Sequence, residues 1–189
     1  MFQNGLRQVT MDDLATQLGI SKKTIYQYYK DKDDLVKAIV GFELKSHQIM
    51  CHNCESKAEN AVHEMFLVME TIKEMAKTMN PGTLMELEKY FPSAFDIIKK
   101  HKEEFFLSLI KGNINKGIQQ GFYRSDLEVD ILSKFRLETI FIPFNLNIYP
   151  LSKFDTVNVH AQLMEHFVYG LMTVKGYEEM QAYKQTKNN

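Results

Sequence analysis

Three groups of residues in this 189-residue chain could do chemistry. The first is Ser21-Lys22-Lys23-Thr24, continued by Tyr26, Gln27 and Tyr28, a run of hydroxyls, ammoniums and an amide with no acid among them. Donors of this kind suit phosphate oxygens and base edges. The second is Cys51-His52-Asn53-Cys54, with His47 one helical turn before Cys51 and His63 further on. It admits a transition metal or a redox role, but a lone C-x-x-C without a second pair is a thin ligand set, and ordinary partly exposed cysteines are the competing reading. The third is a supply of methionine and aromatic side chains: Met65, Phe66, Met69, Tyr90, Phe91, Phe95, Phe105 and Phe135. Such surfaces adapt to varied apolar ligands, with Tyr90, Asn145 or His166 as candidate polar anchors; taken singly, each is equally well ordinary core. Nothing resembles a Gly-rich phosphate loop, a Ser/His/Asp set or a carboxylate pair in apolar surroundings. No catalytic residue, metal or cofactor is therefore expected, and an enzyme is not the reading.

The elements that must position these groups are all helical. Thr10 with Asp13 is a capping-box-like start for a helix through Leu18, and Gly19 is its stop. Ser21 caps a second short helix ending near Tyr29, and Asp31 caps a third from Lys32 to about Met50. Two short helices across Gly19-Ile20-Ser21 leave room only for a tight turn, the helix-turn-helix arrangement. Ala15 is small enough for close approach, and Leu14, Leu18, Ile20 and Ile25 are the expected buried faces. Beyond, Ser56 opens a helix to about Met79, and Thr83 with Glu86 repeats the capping pattern after the Asn80-Pro81-Gly82 turn. Ser93 with Asp96 opens a long helix stopped by Gly121. Asp126 caps another that Pro143 ends. A last helix runs from about Val159 to Lys175, closed by Gly176, with a polar, frayed tail to Asn189. Long apolar-faced helices with short connections must pack on one another, so the class is all-α.

From Val9 through Leu35 the chain resembles the TetR/AcrR transcriptional regulators. The matching features are Thr10, the Gly19-Ile20-Ser21 turn, Thr24-Ile25-Tyr26, the pair Tyr28-Tyr29 and Lys32. The resemblance implies that Lys22, Lys23 and Gln27 face bases while Ser21, Thr24, Tyr26, Tyr28 and Lys32 hold phosphates. Lys32 also opens a helix, where free amides favour an anion. Tyr28 stands where the family commonly has His. Gly121-Phe122-Tyr123-Arg124-Ser125-Asp126 resembles a frequent family connection ahead of the dimer-forming helices. The implied division is a reader over residues 1–46 and a ligand-sensing, dimerising body over 47–189. A stripe of Leu163, Phe167, Gly170, Leu171 and Val174 is the expected homodimer seam, with core as the competing reading. The partners implied are a pseudo-palindromic double-stranded DNA operator, met at half-sites roughly 34–36 Å apart, and a small apolar effector that releases a repressor. The alternatives are a helical ligand- or protein-binding module without DNA binding, or a thiol- or metal-sensing regulator.

Bulk properties set few limits. A net charge of -1 says nothing against DNA, because phosphate contacts need only a few local cations. No apolar run approaches the roughly 18 residues of a membrane span, and no signal peptide is evident, so a cytoplasmic protein is expected. The family pattern places a basic arm and a full first helix ahead of Gly5-Leu6, where this chain offers Met1-Phe2-Gln3-Asn4. The expectation is a truncated start and a loosened reader, binding operator more weakly than a version carrying that helix.

Overall fold

The computed structural model describes residues 6–78 and 80–188, so the expectations placed on Met1–Gly5, Met79 and Asn189 lie outside the described residues. Helices α1 (Met11–Leu18) and α2 (Lys22–Tyr28) meet across the predicted turn. Thr10 and Asp13 exchange a full capping box, and Ser21 Oγ accepts the Thr24 amide at 3.1 Å. Gly19 has φ 64°, a left-handed conformation that costs a residue with a Cβ more than it costs glycine. α3 (Lys32–Lys57) is longer than expected. No Gly or Pro interrupts its last two turns, and the Ser56 hydroxyl donates back to the Asn53 carbonyl instead of opening a new helix.

α4 (Ala61–Thr78) starts where Asn60 Oδ1 accepts the His63 amide at 2.8 Å. After the turn at Asn80–Gly82 comes α5 (Thr83–Tyr90), whose Glu86 does not cap it: the carboxylate accepts the Leu6 and Arg7 amides at 2.6 and 3.3 Å. α6 (Pro92–His101), a π segment (Lys102–Phe106) and α7 (Leu107–Gln119) follow without a break, and Pro92 takes the first helical position, where a missing amide costs nothing. α8 (Val129–Thr139) starts three residues beyond Asp126, which instead faces Arg124 at 3.7 Å. A short 3₁₀ turn at Ile142–Phe144 carries Pro143.

α9 (Thr156–Leu171) and α10 (Val174–Asn188) replace the single last helix and frayed tail that the sequence suggested. The break falls at Met172-Thr173, where the chain pairs with the 121–124 connection: the Arg124 amide donates to Leu171 O and the Thr173 amide to Phe122 O, both at 2.9 Å. Gly176 therefore lies inside α10 and closes nothing. A Cβ there would sit 2.1 Å from the Phe122 carbonyl oxygen. α10 is held down by buried Met180 and by Asn60, which donates to Glu179 and Tyr183 at 2.9 Å each.

Three apolar clusters divide the interior. Met11, Ala15, Ile25 and Leu35 make the reader's own core. Val36 and Val40 of α3 join Leu6, Leu87, Phe91, Ala94 and Ile98 in a second cluster, the joint between α3 and α5–α6. The third, around Val62, Met65, Ile114, Tyr123, Met164, Val168 and Leu171, fills the body between α4, α7, α9 and α10. Adjacent faces of the same turns of α3 thus serve the reader, through Leu35 and Ile39, and the joint, through Val36 and Val40.

Candidate functional site

The reader's core reaches along α1 only as far as Ala15. Leu18 and Ile20, expected inside, are 65% and 42% exposed. On α2 only Ile25 is buried, which turns the rest of that helix outward. Lys22, Lys23, Tyr26, Gln27 and Tyr28 are all exposed, Tyr28 by 76%. Ser21 and Thr24 share a hydroxyl–hydroxyl hydrogen bond of 2.8 Å at the helix start. The face is acid-free on α2 itself, but it is not free of acids nearby. Lys22 Nζ donates to Asp12 Oδ2 of α1 at 2.8 Å, and that bond raises the lysine's pKa. Lys23 has no such partner among the described residues, so it is the uncommitted cation on this surface.

Lys32 is engaged within the chain. Its ammonium donates to the Arg7 carbonyl at 3.0 Å and lies 5.5 Å from the Phe91 ring centroid. Partial burial lowers its pKa, against the opposing pull of Glu86 and Asp13. One amide at the start of α3 is likewise taken, and the first turn is acidic. Asp31 takes the Asp34 amide at 2.8 Å, and Asp33 and Asp34 occupy the first turn. Lys32 is better described as a strut. With Glu86, which grips the Leu6 and Arg7 amides, and Tyr90, whose hydroxyl accepts from Arg7 at 3.3 Å, it ties the chain ahead of α1 to α3 and α5. Glu86 is a positioning residue the sequence reading missed, because its target lies about 80 positions away.

The eight residues expected to line one apolar pocket disperse. Phe66 and Met69 line a half-open cleft of about 70 Å³, with Glu70, Lys73, His160, Met164 and Lys184 among its other walls. Met65 is buried in the body core beside it. Phe91 and Phe95 belong to the joint, because α6 packs on α3. Tyr90 is partly exposed, and Phe105 stacks on His101 at 5.0 Å within the π segment. Phe135 is 55% exposed on α8. Of the candidate polar anchors, Asn145 caps its own turn and His166 is exposed. The buried polar side chains of this region are others. Arg136 and Ser133 of α8 and His160 of α9 are all shut from solvent. Burial, then the nearby Arg136 charge, pushes the His160 pKa down to about 4. One sequence signal could have flagged Arg136: it is one of only three arginines in a lysine-rich chain.

The dimer stripe splits in the same way. Phe167 and Leu171 face inward and belong to the body core, because α9 lies against α4. Leu163 is half-buried, Gly170 is exposed, and Val174, at 74% exposure, falls on α10. The large apolar side chains that α8 leaves outside are Ile131 and Phe135. The cysteine motif does not converge either. Burial raises the Cys51 thiol to about 11, and Cys54 is buried with Sγ 3.6 Å from Thr71 Oγ1. Among the described residues no cluster of His, Cys, Asp or Glu is arranged to hold a metal, and no helix is long and apolar enough to cross a membrane.

Fold and surface together give a helix-turn-helix unit with an exposed, cation-bearing second helix, set on a helical body. Residues 1–39 match the family model described as bacterial regulatory proteins, tetR family. The uncharacterized HTH-type transcriptional regulator YvaF of Bacillus subtilis (strain 168) is 37% identical over 87 residues, 46% of this chain and 46% of that protein; the chain thus spans about half of that relative's length. The fatty acid metabolism regulator protein of the same organism is 25% identical over 174 residues, 89% of this chain and 88% of that protein. Among solved structures, the transcriptional regulator FadR from Bacillus subtilis, in complex with stearoyl-CoA, superposes with a TM-score of 0.66 at 23% identity, covering 90% of this chain and 92% of that one. Over residues 1–39 the chain is similar to the tetR family of bacterial regulatory proteins, and over most of its length it shares the fold of the regulator it superposes on. The relatives and the structural neighbour named above are transcriptional regulators.

Proposed function

We propose that the protein is a ligand-responsive repressor that binds a pseudo-palindromic operator as a homodimer and leaves it when a small apolar effector enters the body. The observation that carries the reading is the outward face of α2, with Lys23, Gln27 and Tyr28 presented to solvent on a capped, rigid helix. Ser21, Lys22, Thr24 and Tyr26 flank that face and contact DNA with it. Residues 1–46 are the reader, 47–189 the body, and α3 crosses between them. Ile131 and Phe135 of α8 form the surface that pairs with a second copy, and Leu163 and Gly170 of α9 and Val174 of α10 are the further candidates for that seam. A fatty acid metabolism regulator among the relatives and a stearoyl-CoA complex among the structural neighbours favour an effector with a long acyl chain. The cleft of about 70 Å³ is well below the roughly 300–1,000 Å³ of ligand sites. Binding therefore selects a more open body, and the differential affinity for that state shifts the reader through α3 and the joint.

Fluorescence anisotropy with duplex DNA from upstream of the protein's own gene tests this. Specific binding should exceed binding to shuffled sequence by about a thousandfold or more at matched salt, and acyl compounds should reverse it. Equal affinity for both duplexes would instead favour a helical binding module that does not read DNA.

A further inference from the structure

The body holds a positive charge that no acid among the described residues answers. Arg136 is 6% exposed, and among the described residues its guanidinium makes no hydrogen bond and no ion pair. The Phe167 ring lies 5.6 Å from the guanidinium carbon. Burial presses its pKa down only to about 10, which leaves it charged at neutral pH. One turn earlier on the same face of α8, Ser133 is fully buried and its Oγ has no hydrogen-bond partner. His160 stands between this pair and the cleft: it senses the Arg136 charge and also lines the cleft with Phe66, Met69 and Met164. The carboxylate of Glu165, on the cleft's wall, is already held by Lys184.

Buried ions and hydroxyls without partners are rare, because each loses its hydration and recovers little. A ring face offsets only part of that loss for a guanidinium. Five fixed N–H donors and a hydroxyl on one helix face lie beside His160, beyond which the cleft mixes apolar Phe66, Met69 and Met164 with Glu70, Lys73 and Lys184. Such a donor set makes a receptor for an oxyanion, since a planar guanidinium grips carboxylate and phosphate oxygens in pairs. We propose that Arg136, assisted by Ser133, anchors an oxyanion head group, carboxylate or phosphate, at the end of the effector's apolar chain. The assignment rests on the effector reading above and names the effector's class: an amphipathic anion rather than a neutral apolar molecule.

Calorimetric titration of the full chain with tetradecanoate, tetradecyl phosphate and tetradecanol, each below its micellar concentration, tests it. At least one of the two anions should bind ten times or more tighter than the alcohol, and which one does identifies the head group. Arg136→Met should erase that advantage to within twofold, with a melting temperature no lower than the parent's, because it removes an unanswered charge at similar volume. Should that variant not fold, Ser133→Ala serves instead, losing several-fold in anion affinity with none lost for the alcohol. Equal binding of alcohol and anions, or an anion preference that survives Arg136→Met, overturns the anchor and leaves an apolar effector standing. Failure of all three compounds to bind the parent removes the effector reading along with it.

Discussion

On α2 two adjacent lysines differ in what they have left to offer. Lys22 is bonded to Asp12 at 2.8 Å, whereas Lys23 is uncommitted among the described residues. An ammonium already facing a carboxylate gives DNA less, because that contact must be exchanged and the acid repels phosphate. Lys23→Ala should therefore weaken operator binding by about tenfold, with Lys22→Ala costing less. Asp12→Asn should strengthen binding a few-fold. Titrations at several salt concentrations check the order; a larger loss from Lys22→Ala would reverse it. His160 gives a second prediction at this scale. Its ring titrates near 6.5 when unfolded and at about 4 in the fold, chiefly through burial and secondarily through Arg136. Unfolding takes up a proton between those values, so the neutral ring's contribution is complete above about pH 6.5 and drains away as pH falls to about 4. At about 1.4 kcal/mol per pH unit the interval amounts to roughly 3 kcal/mol. His160→Gln should flatten that part of the stability profile in denaturant titrations run across the range.

Among the elements, the junction of α9 and α10 is the one most sensitive to a single atom. Gly176 lets α10 lie directly on the Phe122 carbonyl, which a Cβ would approach to 2.1 Å. That neighbour is backbone, tied in turn to the Thr173 amide, so it cannot swing aside. Gly176→Ala should cost about 1–3 kcal/mol, despite alanine's better helix propensity, and lower the melting temperature by several degrees. A melting temperature equal to or above the parent's would show that α10 is not clamped there. Some elements were legible in the sequence to the residue. Both ends of α1 and the start of α2 are set by Thr10, Asp13, Gly19 and Ser21, whose partners lie within four positions. Others were not. Ser56 has the side chain of a cap, yet it sits mid-helix. Glu86 has the spacing of a capping box, yet it reaches Leu6. A capping residue competes for whichever amide is nearest in space, and spacing along the chain reveals that only when the amide is local.

At the scale of the molecule, one exposed apolar surface is the outer side of α8. Ile131 and Phe135 are 66% and 55% exposed one turn apart, a patch of the kind that marks an interface. Ile131→Asp combined with Phe135→Asp should leave helix content unchanged while sedimentation shows a monomer, and operator affinity should fall on the order of a hundredfold as two linked half-site contacts become one. A double variant that remains dimeric would place the seam elsewhere. The residues proposed from sequence for that seam illustrate the difficulty. Phe167 and Leu171 have the right spacing and chemistry, and they lie on a real apolar stripe, but the stripe faces α4 of their own chain.

Sequence alone determined what depends on neighbours along the chain: the helical class, the tight Gly19-Ile20-Ser21 turn, and an α2 surface whose polar residues stay outside once Ile25 is turned in. Only the tertiary structure decided which apolar faces meet. It sent Phe91 and Phe95 to the joint, opened Phe135 to solvent, made Lys32 a strut, and enclosed Arg136 beside Ser133 and His160. The reason is that a helix fixes the angle between its own side chains but not which neighbouring helix covers each face. That choice is made by close packing across the whole interior, to which residues far apart in sequence contribute together.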